Sequence, residues 1–222
     1  MAGRRTIAAV ACVLLAAGGL LTVSRVCREA RTRPVILPGV VSMLGDSLTF
    51  HGDWAELLGC EHVNNFGVEG ETTAEILQRL PDVLAADPPG VFIMGGANDI
   101  LQGLTPLQTM ENLTMMVRQL SSAGVPVFVE AITPVRDDYA GAVSAARFNA
   151  EAASRNAMIS GAVQQAGAVW IDWGSSLEPS DYLIDAIHYS PSGYERRAAQ
   201  VHRHLSSCRP PDPPIPMTDE SP

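Results

Sequence analysis

Residues 40–48 read VVSMLGDSL, an apolar run that passes directly into Gly-Asp-Ser-Leu. A short apolar run bounded by turn residues predicts a buried β-strand, which here delivers Ser47 to a tight turn. A serine hydroxyl is a good nucleophile only when a base removes its proton. The chain offers such a base in His188, with Asp185 three residues before it. We therefore expect an activated serine, and with it a hydrolase.

The predicted strand at residues 39–44 opens an alternation of apolar runs and helical patterns that continues to residue 206. Further strands are predicted at residues 62–66, 91–94, 125–132 and 168–172. Helices are predicted at residues 53–58, 72–84 with an interruption at Pro81, 107–123, 142–166 and 190–205. Strand and helix alternating five times is typical of a parallel sheet covered on both faces. The sequence thus predicts a three-layer α/β/α sandwich around a five-stranded, flavodoxin-like parallel sheet.

This topology brings the candidate functional residues together. Ligand sites of parallel sheets lie at the carboxyl ends of the strands. Ser47 follows the first predicted strand, Gly67 the second and Asn98 the third, whereas Asp185 and His188 lie in the loop before the last helix. All five positions therefore converge on one edge of the sheet. The segments around Gly67 and Asn98 also offer donors that can stabilise an oxyanion.

The charge of the chain is unevenly distributed, and its basic side chains are all arginine. Six of the fifteen arginines stand at or before residue 33, and nine arginines face twenty-three acids after it, which gives that part a net charge of about −14. Such a body repels phosphate groups, so a nucleic-acid-binding role is not expected. Apolar residues make up 46% of the chain, enough for a sizeable core.

Both ends of the chain are predicted to lie outside the domain at residues 35–208. Two arginines precede an uncharged run at residues 7–23, and four arginines follow it. The run fits a cleaved signal peptide or an uncleaved membrane anchor, and both interpretations stay open. By the positive-inside rule, the arginines that follow the run favour a cytoplasmic domain. An N-terminal apolar run behind paired arginines, however, usually directs export of the downstream domain. We therefore expect export to the periplasm or the extracellular space. At the other end, the proline-rich residues 209–222 are predicted to be a disordered tail.

Two cysteines, Cys60 and Cys208, belong to the predicted domain. Each is solitary, so their spacing indicates no metal site, and two buried thiols are the commoner fate of such residues. In the predicted sheet, however, the first and last helices cover the same face, which places both cysteines at the same edge. A Cys60–Cys208 disulfide is therefore the alternative, favoured if the body is exported.

Four blocks of sequence carry a resemblance to a known family. They are Gly45-Asp46-Ser47-Leu48, Asn65-Phe66-Gly67-Val68-Glu69-Gly70, Gly96-Ala97-Asn98-Asp99 and Asp185-Ala186-Ile187-His188. With these blocks in this order, residues 39–206 resemble the SGNH or GDSL hydrolases, which are lipase-like serine esterases. Many relatives carry a glycine after the acid of the last block, where this chain has Ala186.

The resemblance implies a role for each site residue. Ser47 would be the nucleophile, His188 its base and Asp185 the group that orients the imidazole. The backbone N–H groups of Ser47 and Gly67, with the side-chain amide of Asn98, would form the oxyanion hole. The resemblance implies no cofactor and no metal, and a substrate that is a small-molecule ester or a lipid- or sugar-linked ester. The acyl group, the alcohol and the oligomeric state are left open.

Two other functions stay open on the residues alone. Metal-dependent phosphoester hydrolysis would use Asp46, Asp99 and His188, but a two-metal site needs more ligands than the strand ends supply. A non-catalytic carbohydrate-binding or scaffold module would keep the fold without turnover.

Some polar residues near the blocks have simpler interpretations. His51 is four residues from Ser47, so it could line the site, but a surface position is expected. Asp99 is expected to support the loop that carries Asn98. Asn112 begins an Asn-Leu-Thr glycosylation motif, but it falls within a predicted helix.

Overall fold

Five short strands, each of which begins with a valine, form a parallel sheet. They are β1 (Val41–Gly45), β2 (Val63–Gly67), β3 (Val91–Met94), β4 (Val127–Glu130) and β5 (Val169–Ile171). Their order across the sheet is β2-β1-β3-β4-β5. The strands β1, β3 and β4 are buried along their whole length, as strands covered on both faces must be. The predicted five-stranded, flavodoxin-like parallel sheet is confirmed.

The computed structural model describes residues 37, 41–60, 62–206 and 208, all of which belong to a compact unit that spans Val35–Pro222. The apolar run at 7–23 and the tail at 209–222 lie outside the described residues.

Helices connect the strands and cover both faces of the sheet. They are α1 (Ser47–Phe50), α2 (Trp54–Leu58), α3 (Thr73–Gln78), α4 (Leu80–Ala85), α5 (Ala97–Gln102), α6 (Pro106–Ser122), α7 (Ala145–Gln165) and α8 (Pro191–His202). The single interrupted helix predicted at 72–84 is two helices, and Pro81 stands in the first turn of the second, where its missing N–H is tolerated. Two short 3-10 helices, Gly174–Ser176 and Pro179–Asp181, lie between β5 and α8.

The core is divided by the sheet into two apolar clusters, because successive side chains of a strand point to opposite faces. Leu44 of β1 packs into the cluster that includes residues of α3, α4, α6 and α7. Met43, its neighbour in sequence, packs into the cluster that includes residues of α2 and α8. In that second layer, the rings of Phe92 and Phe128 stack with their centroids 4.4 Å apart. The three-layer α/β/α architecture follows directly.

A disulfide joins Cys60 and Cys208, whose Cα atoms are 5.1 Å apart. The bond joins the ends of α2 and α8, which lie against each other on one face of the sheet. Next to it, Leu37 pairs with Leu205 in an isolated parallel bridge. Of the two interpretations of these cysteines, the structure has the disulfide.

No helix within the described part of the chain is long and apolar enough to span a bilayer.

Candidate active site

The three candidate catalytic side chains form a hydrogen-bonded chain at the carboxyl edge of the sheet. His188 Nε2 lies 2.9 Å from Ser47 Oγ, and His188 Nδ1 lies 2.8 Å from Asp185 Oδ2. Asp185 Oδ1 accepts the backbone N–H groups of Ile187 and His188, which fixes the carboxylate against the imidazole. If the ring proton is on Nδ1 and is donated to the carboxylate, Nε2 is the nitrogen that accepts the serine proton.

The Asp185 carboxylate in this series of hydrogen bonds is held in its ionised form. Burial alone would raise the pKa of Asp185, but the hydrogen bonds from the His188 side chain and from two backbone N–H groups lower it below its ordinary value. An ionised Asp185 stabilises the imidazolium that forms when His188 takes a proton.

Ser47 is presented by the very short helix α1, which begins directly after β1. Asp46 caps this helix, because its Oδ1 accepts the N–H of Leu48 at 3.0 Å. Ser47 is the first helical residue, so its own N–H has no acceptor within the helix. A side chain at Gly45 would overlap the carbonyl oxygen of Met94, so only glycine allows this close passage. Ser47, the candidate nucleophile, is thus positioned by main-chain packing on the sheet.

The other end of α1 is held by a buried arginine. Arg197 of α8 donates to the Leu48 carbonyl oxygen at 2.7 Å and to Thr49 Oγ1 at 3.2 Å. It also forms two hydrogen bonds of 2.8 and 2.7 Å with the Glu130 carboxylate, and its guanidinium lies 4.6 Å from the Trp54 ring centroid. Burial would lower the pKa of Arg197, but the charge of Glu130 raises it above its ordinary value, so the guanidinium stays charged.

Asp46 is itself unusual, since it is buried beside the nucleophile. Burial raises the pKa of Asp46 to about 6, although the Leu48 N–H and the charges of Arg197 and His188 pull it downward. Within the described residues, its Oδ2 has no hydrogen-bond partner. A carboxyl group in this position is ready to hold a proton near neutral pH.

The two glycines of the second block have different roles. Gly67 is the last residue of β2 and pairs with Gly45 in the sheet. Its N–H donates to Asn65 Oδ1 at 2.9 Å, and a side chain at Gly67 would overlap the Phe50 backbone. The Gly67 N–H, which the sequence predicted as an oxyanion donor, is thus bonded to the Asn65 side chain, and the residue packs against α1.

Gly70 lies at the site instead. It lines the same cavity as Ser47 and Asn98, and its φ of 75° is in the left-handed region that glycine adopts easily. Asn98 of α5 is held by a hydrogen bond from its Nδ2 to the Glu71 carbonyl oxygen at 3.0 Å. Ser47, Gly70 and Asn98 thus line one cavity.

This catalytic cavity has a volume of about 240 Å³. Its lining is formed by Asp46, Ser47, Leu48, Glu69, Gly70, Ala97, Asn98, Leu101, Tyr139, Ile187 and His188. The lining contains no arginine, and its apolar side chains come from α1, α5 and the two loops that carry Tyr139 and Ile187.

Comparison with known proteins identifies the family. The sequence profile of the GDSL-like Lipase/Acylhydrolase family matches residues 43–196. The chain belongs to this family. The resemblance seen in the four sequence blocks is confirmed.

Two curated relatives of this GDSL-like chain are esterases by name. Esterase TesA of Pseudomonas aeruginosa is 35% identical over 71 residues, which are 32% of this chain and 35% of that protein. The Arylesterase of Vibrio mimicus is 34% identical over 92 residues, which are 41% of this chain and 43% of that protein. The matched regions therefore span less than half the length of either relative.

The fold is shared with solved structures of the family. The lipase/acylhydrolase from Enterococcus faecalis superposes with a TM-score of 0.63 at 23% identity, covering 74% of this chain and 93% of that chain.

Two further polar residues of the GDSL-like domain lie at the site. His51 Nε2 is 2.9 Å from Glu69 Oε1, and the His51 ring stands edge-on to the His188 ring with centroids 5.7 Å apart. His51 is half-exposed, and it lies beside His188. Of the two positions considered from its spacing of four residues to Ser47, the structure thus has the one at the site.

Asp99 was expected to support a loop that carries Asn98, but both residues lie in the first turn of helix α5, which Asp99 ties to Thr73. It is fully buried and accepts hydrogen bonds from the Thr73 N–H at 2.7 Å and from Thr73 Oγ1 at 2.6 Å. Asn112 donates to the same Thr73 hydroxyl at 3.0 Å, so the amide of the glycosylation motif is engaged within the fold.

Ala186 adopts a φ of 63°, which explains why relatives place glycine there. Among the described residues, no group of three or more histidine, cysteine, aspartate or glutamate side chains could hold a metal ion.

Proposed function

We propose that this chain is a serine esterase that cleaves a carboxylic ester through an acyl-enzyme intermediate. The single observation that carries the proposal is the hydrogen-bonded chain from Asp185 through His188 to Ser47. A carboxylate, an imidazole and a hydroxyl are hydrogen-bonded in series at the carboxyl edge of the sheet, although the serine and the histidine are 141 positions apart in the sequence. The family and the names of the two curated relatives agree with this chemistry.

In the first half of the reaction, Ser47 Oγ attacks the ester carbonyl carbon as its proton passes to His188 Nε2. The ester carbonyl oxygen becomes an oxyanion, which accepts hydrogen bonds from the Ser47 and Gly70 N–H groups and from Asn98 Nδ2. The bond to the leaving oxygen then breaks, and His188 returns the proton to that oxygen, so an alcohol leaves and an acyl-serine remains.

In the second half, water takes the place of the alcohol. His188 accepts a proton from the water as its oxygen attacks the acyl carbon, and the proton is returned to Ser47 Oγ as that bond breaks. A carboxylic acid leaves and the serine is regenerated. We propose Gly70 rather than Gly67 as the second backbone donor, because the Gly67 N–H is bonded to Asn65.

We further propose that the protein acts after export. The arginine-flanked apolar run at 7–23 fits a signal peptide or an N-terminal anchor. The Cys60–Cys208 disulfide supports the same conclusion, because such bonds persist in oxidising compartments and are rare in reducing ones.

The proposal is tested by active-site labelling. A fluorophosphonate probe is expected to label the wild-type protein, and Ser47→Ala is expected to abolish both labelling and the hydrolysis of p-nitrophenyl esters. Ser122→Ala removes an exposed hydroxyl at the end of α6 and is the matched control, expected to behave as the wild type.

A screen of p-nitrophenyl esters of increasing acyl length then gives the acyl preference. Absence of labelling together with absence of turnover in the wild type would favour the non-catalytic module. Labelling that persists in Ser47→Ala would place the nucleophile elsewhere.

A further inference from the structure

A second cavity opens on the other side of His188. Its volume is about 430 Å³, larger than that of the catalytic cavity. It is lined by His51, Leu183, Asp185, His188, Tyr189, Pro191 and Tyr194. Of the residues that line these two cavities, His188 is the one they share.

The contact between the His51 and Glu69 side chains bridges the two cavities. Glu69 lines the catalytic cavity, His51 lines the second cavity, and their side chains are 2.9 Å apart. Because the His51 ring stands 5.7 Å from the His188 ring, the pair runs alongside the imidazole that would move the proton. A substrate that contacts His188 from both sides therefore also passes this pair.

The chemistry of ester cleavage assigns one part of the substrate to each cavity. The carbonyl oxygen must face Gly70 and Asn98, both of which line the catalytic cavity. The leaving oxygen must lie next to His188 Nε2, since that nitrogen protonates it. With the acyl group on the oxyanion side of the imidazole, the remainder of the alcohol extends to the opposite side, into the second cavity.

The lining of the second cavity indicates the class of alcohol. Leu183 and Pro191 are apolar, and His51, Tyr189 and Tyr194 contribute ring surfaces. Asp185 is the one carboxylate in this lining, and no lysine or arginine lines the cavity. Glu69 lies close to the cavity because its side chain contacts His51. Such a lining favours an uncharged, apolar alcohol and disfavours a carboxylate or phosphate on that alcohol.

We propose that the second cavity is the alcohol subsite of this enzyme, that it takes a bulky uncharged alcohol, and that the His51–Glu69 pair determines this preference. This inference rests on the proposed esterase function. It assigns the larger part of the substrate to the alcohol, because the alcohol subsite is the larger of the two cavities.

The test compares esters that carry the same bulky group on opposite sides of the scissile bond. The substrates are ethyl acetate, cyclohexylmethyl acetate, ethyl cyclohexanecarboxylate and the acetate of 4-(hydroxymethyl)cyclohexanecarboxylate. The readout is the ratio of kcat/KM for each bulky ester to kcat/KM for ethyl acetate, which cancels changes common to all substrates.

Leu183→Trp fills the second cavity from an exposed position. It is expected to lower the cyclohexylmethyl acetate ratio about ten-fold, while the ethyl cyclohexanecarboxylate ratio keeps its wild-type value. Leu107→Trp makes the same change at an exposed leucine of α6 that lines neither cavity, and it is expected to keep every wild-type ratio.

Glu69→Gln tests the charge preference without a change in volume, so the proposal stays testable if Leu183→Trp does not fold. It is expected to raise the ratio for the carboxylate-bearing alcohol about ten-fold relative to cyclohexylmethyl acetate. Glu56→Gln is the matched control on the exposed surface of α2.

The outcomes separate this inference from the proposed function. If the wild type hydrolyses none of the esters, the esterase function fails first. If the wild type hydrolyses them but Leu183→Trp lowers the ethyl cyclohexanecarboxylate ratio instead, the acyl group occupies the second cavity and the inference is overturned. Wild-type ratios in both Leu183→Trp and Glu69→Gln would overturn it as well.

Discussion

Asp46 shows how a single buried carboxyl group next to the nucleophile responds to pH. Its pKa is about 6 in the folded protein, against an ordinary value of 3.8 that applies to the unfolded chain. Between these values the folded state holds a proton that the unfolded state has lost. The stability of the folded state therefore falls as the pH rises from about 4 to about 6, and the loss persists above that range.

Asp46→Asn is expected to remove this penalty. An asparagine keeps the side-chain oxygen that accepts the Leu48 N–H, so the cap of α1 is retained. The free energy of unfolding at pH 8 should rise by about 3 kcal/mol, and the gain should shrink as the pH falls from 6 towards 4. Urea denaturation at a series of pH values measures both. Asp82→Asn, at an exposed position of α4, is the control. A loss of stability that is equal at all pH values would contradict the penalty assigned to the buried charge of Asp46.

The sequence does not reveal which of Gly67 and Gly70 lies at the site. Both glycines belong to the same block, and both follow predicted strand residues. Which of them faces the substrate depends on where β2 ends, and that end is fixed by the pairing of Gly67 with Gly45. Pairing across a sheet is a long-range property, which a local pattern does not contain.

At the scale of elements, α1 depends on an ion pair supplied by α8 and β4. Helices of four residues have too few internal hydrogen bonds to be stable alone. Arg197 supplies the missing contacts to Leu48 and Thr49, and Glu130 supplies the charge that keeps Arg197 buried. The indole N–H of Trp173 also donates to Glu130, at 3.1 Å. Arg197 is therefore a positioning residue for the nucleophile.

Glu130→Gln is expected to lower the free energy of unfolding by about 3–5 kcal/mol, because it leaves a buried guanidinium without its counter-charge. Chemical denaturation measures this loss. The matched control is Asp138→Asn, which breaks the exposed Arg136–Asp138 pair and should cost far less, because water screens that pair. A Glu130→Gln variant as stable as the control would show that the buried pair is dispensable.

The elements themselves were largely predictable, and the exceptions have a physical reason. All five strands were identifiable, with ends shifted by up to two residues, although only β1, β3 and β4 are buried along their whole length. The helices α1 and α5 were not predicted, because four and six residues show no helical period, whereas the equally short α2 has a clear capping residue in Asp53. The burial of Arg197 was equally hidden, since its partner Glu130 lies 67 residues away.

At the scale of the whole molecule, the disulfide closes a loop of 148 residues. A loop of this length restricts the unfolded chain strongly, so removal of the bond is expected to lower the free energy of unfolding by about 2–5 kcal/mol. Cys60→Ser with Cys208→Ser tests this by denaturation under non-reducing conditions.

The wild-type protein treated with dithiothreitol is the parallel sample and should match the double variant. Alkylation of the unreduced, denatured wild type, followed by mass spectrometry, should leave both cysteines unmodified. Two alkylated cysteines at these positions would contradict the bond itself.

The Cys60–Cys208 disulfide and the candidate catalytic side chains lie at opposite ends of the strands. Cys60 comes before β2 begins, whereas Ser47 comes after β1 ends, and α8 begins at the rim of the second cavity and precedes Cys208 in the chain. A linkage to a solid support that is placed at the disulfide would therefore lie away from Ser47, Asp185 and His188.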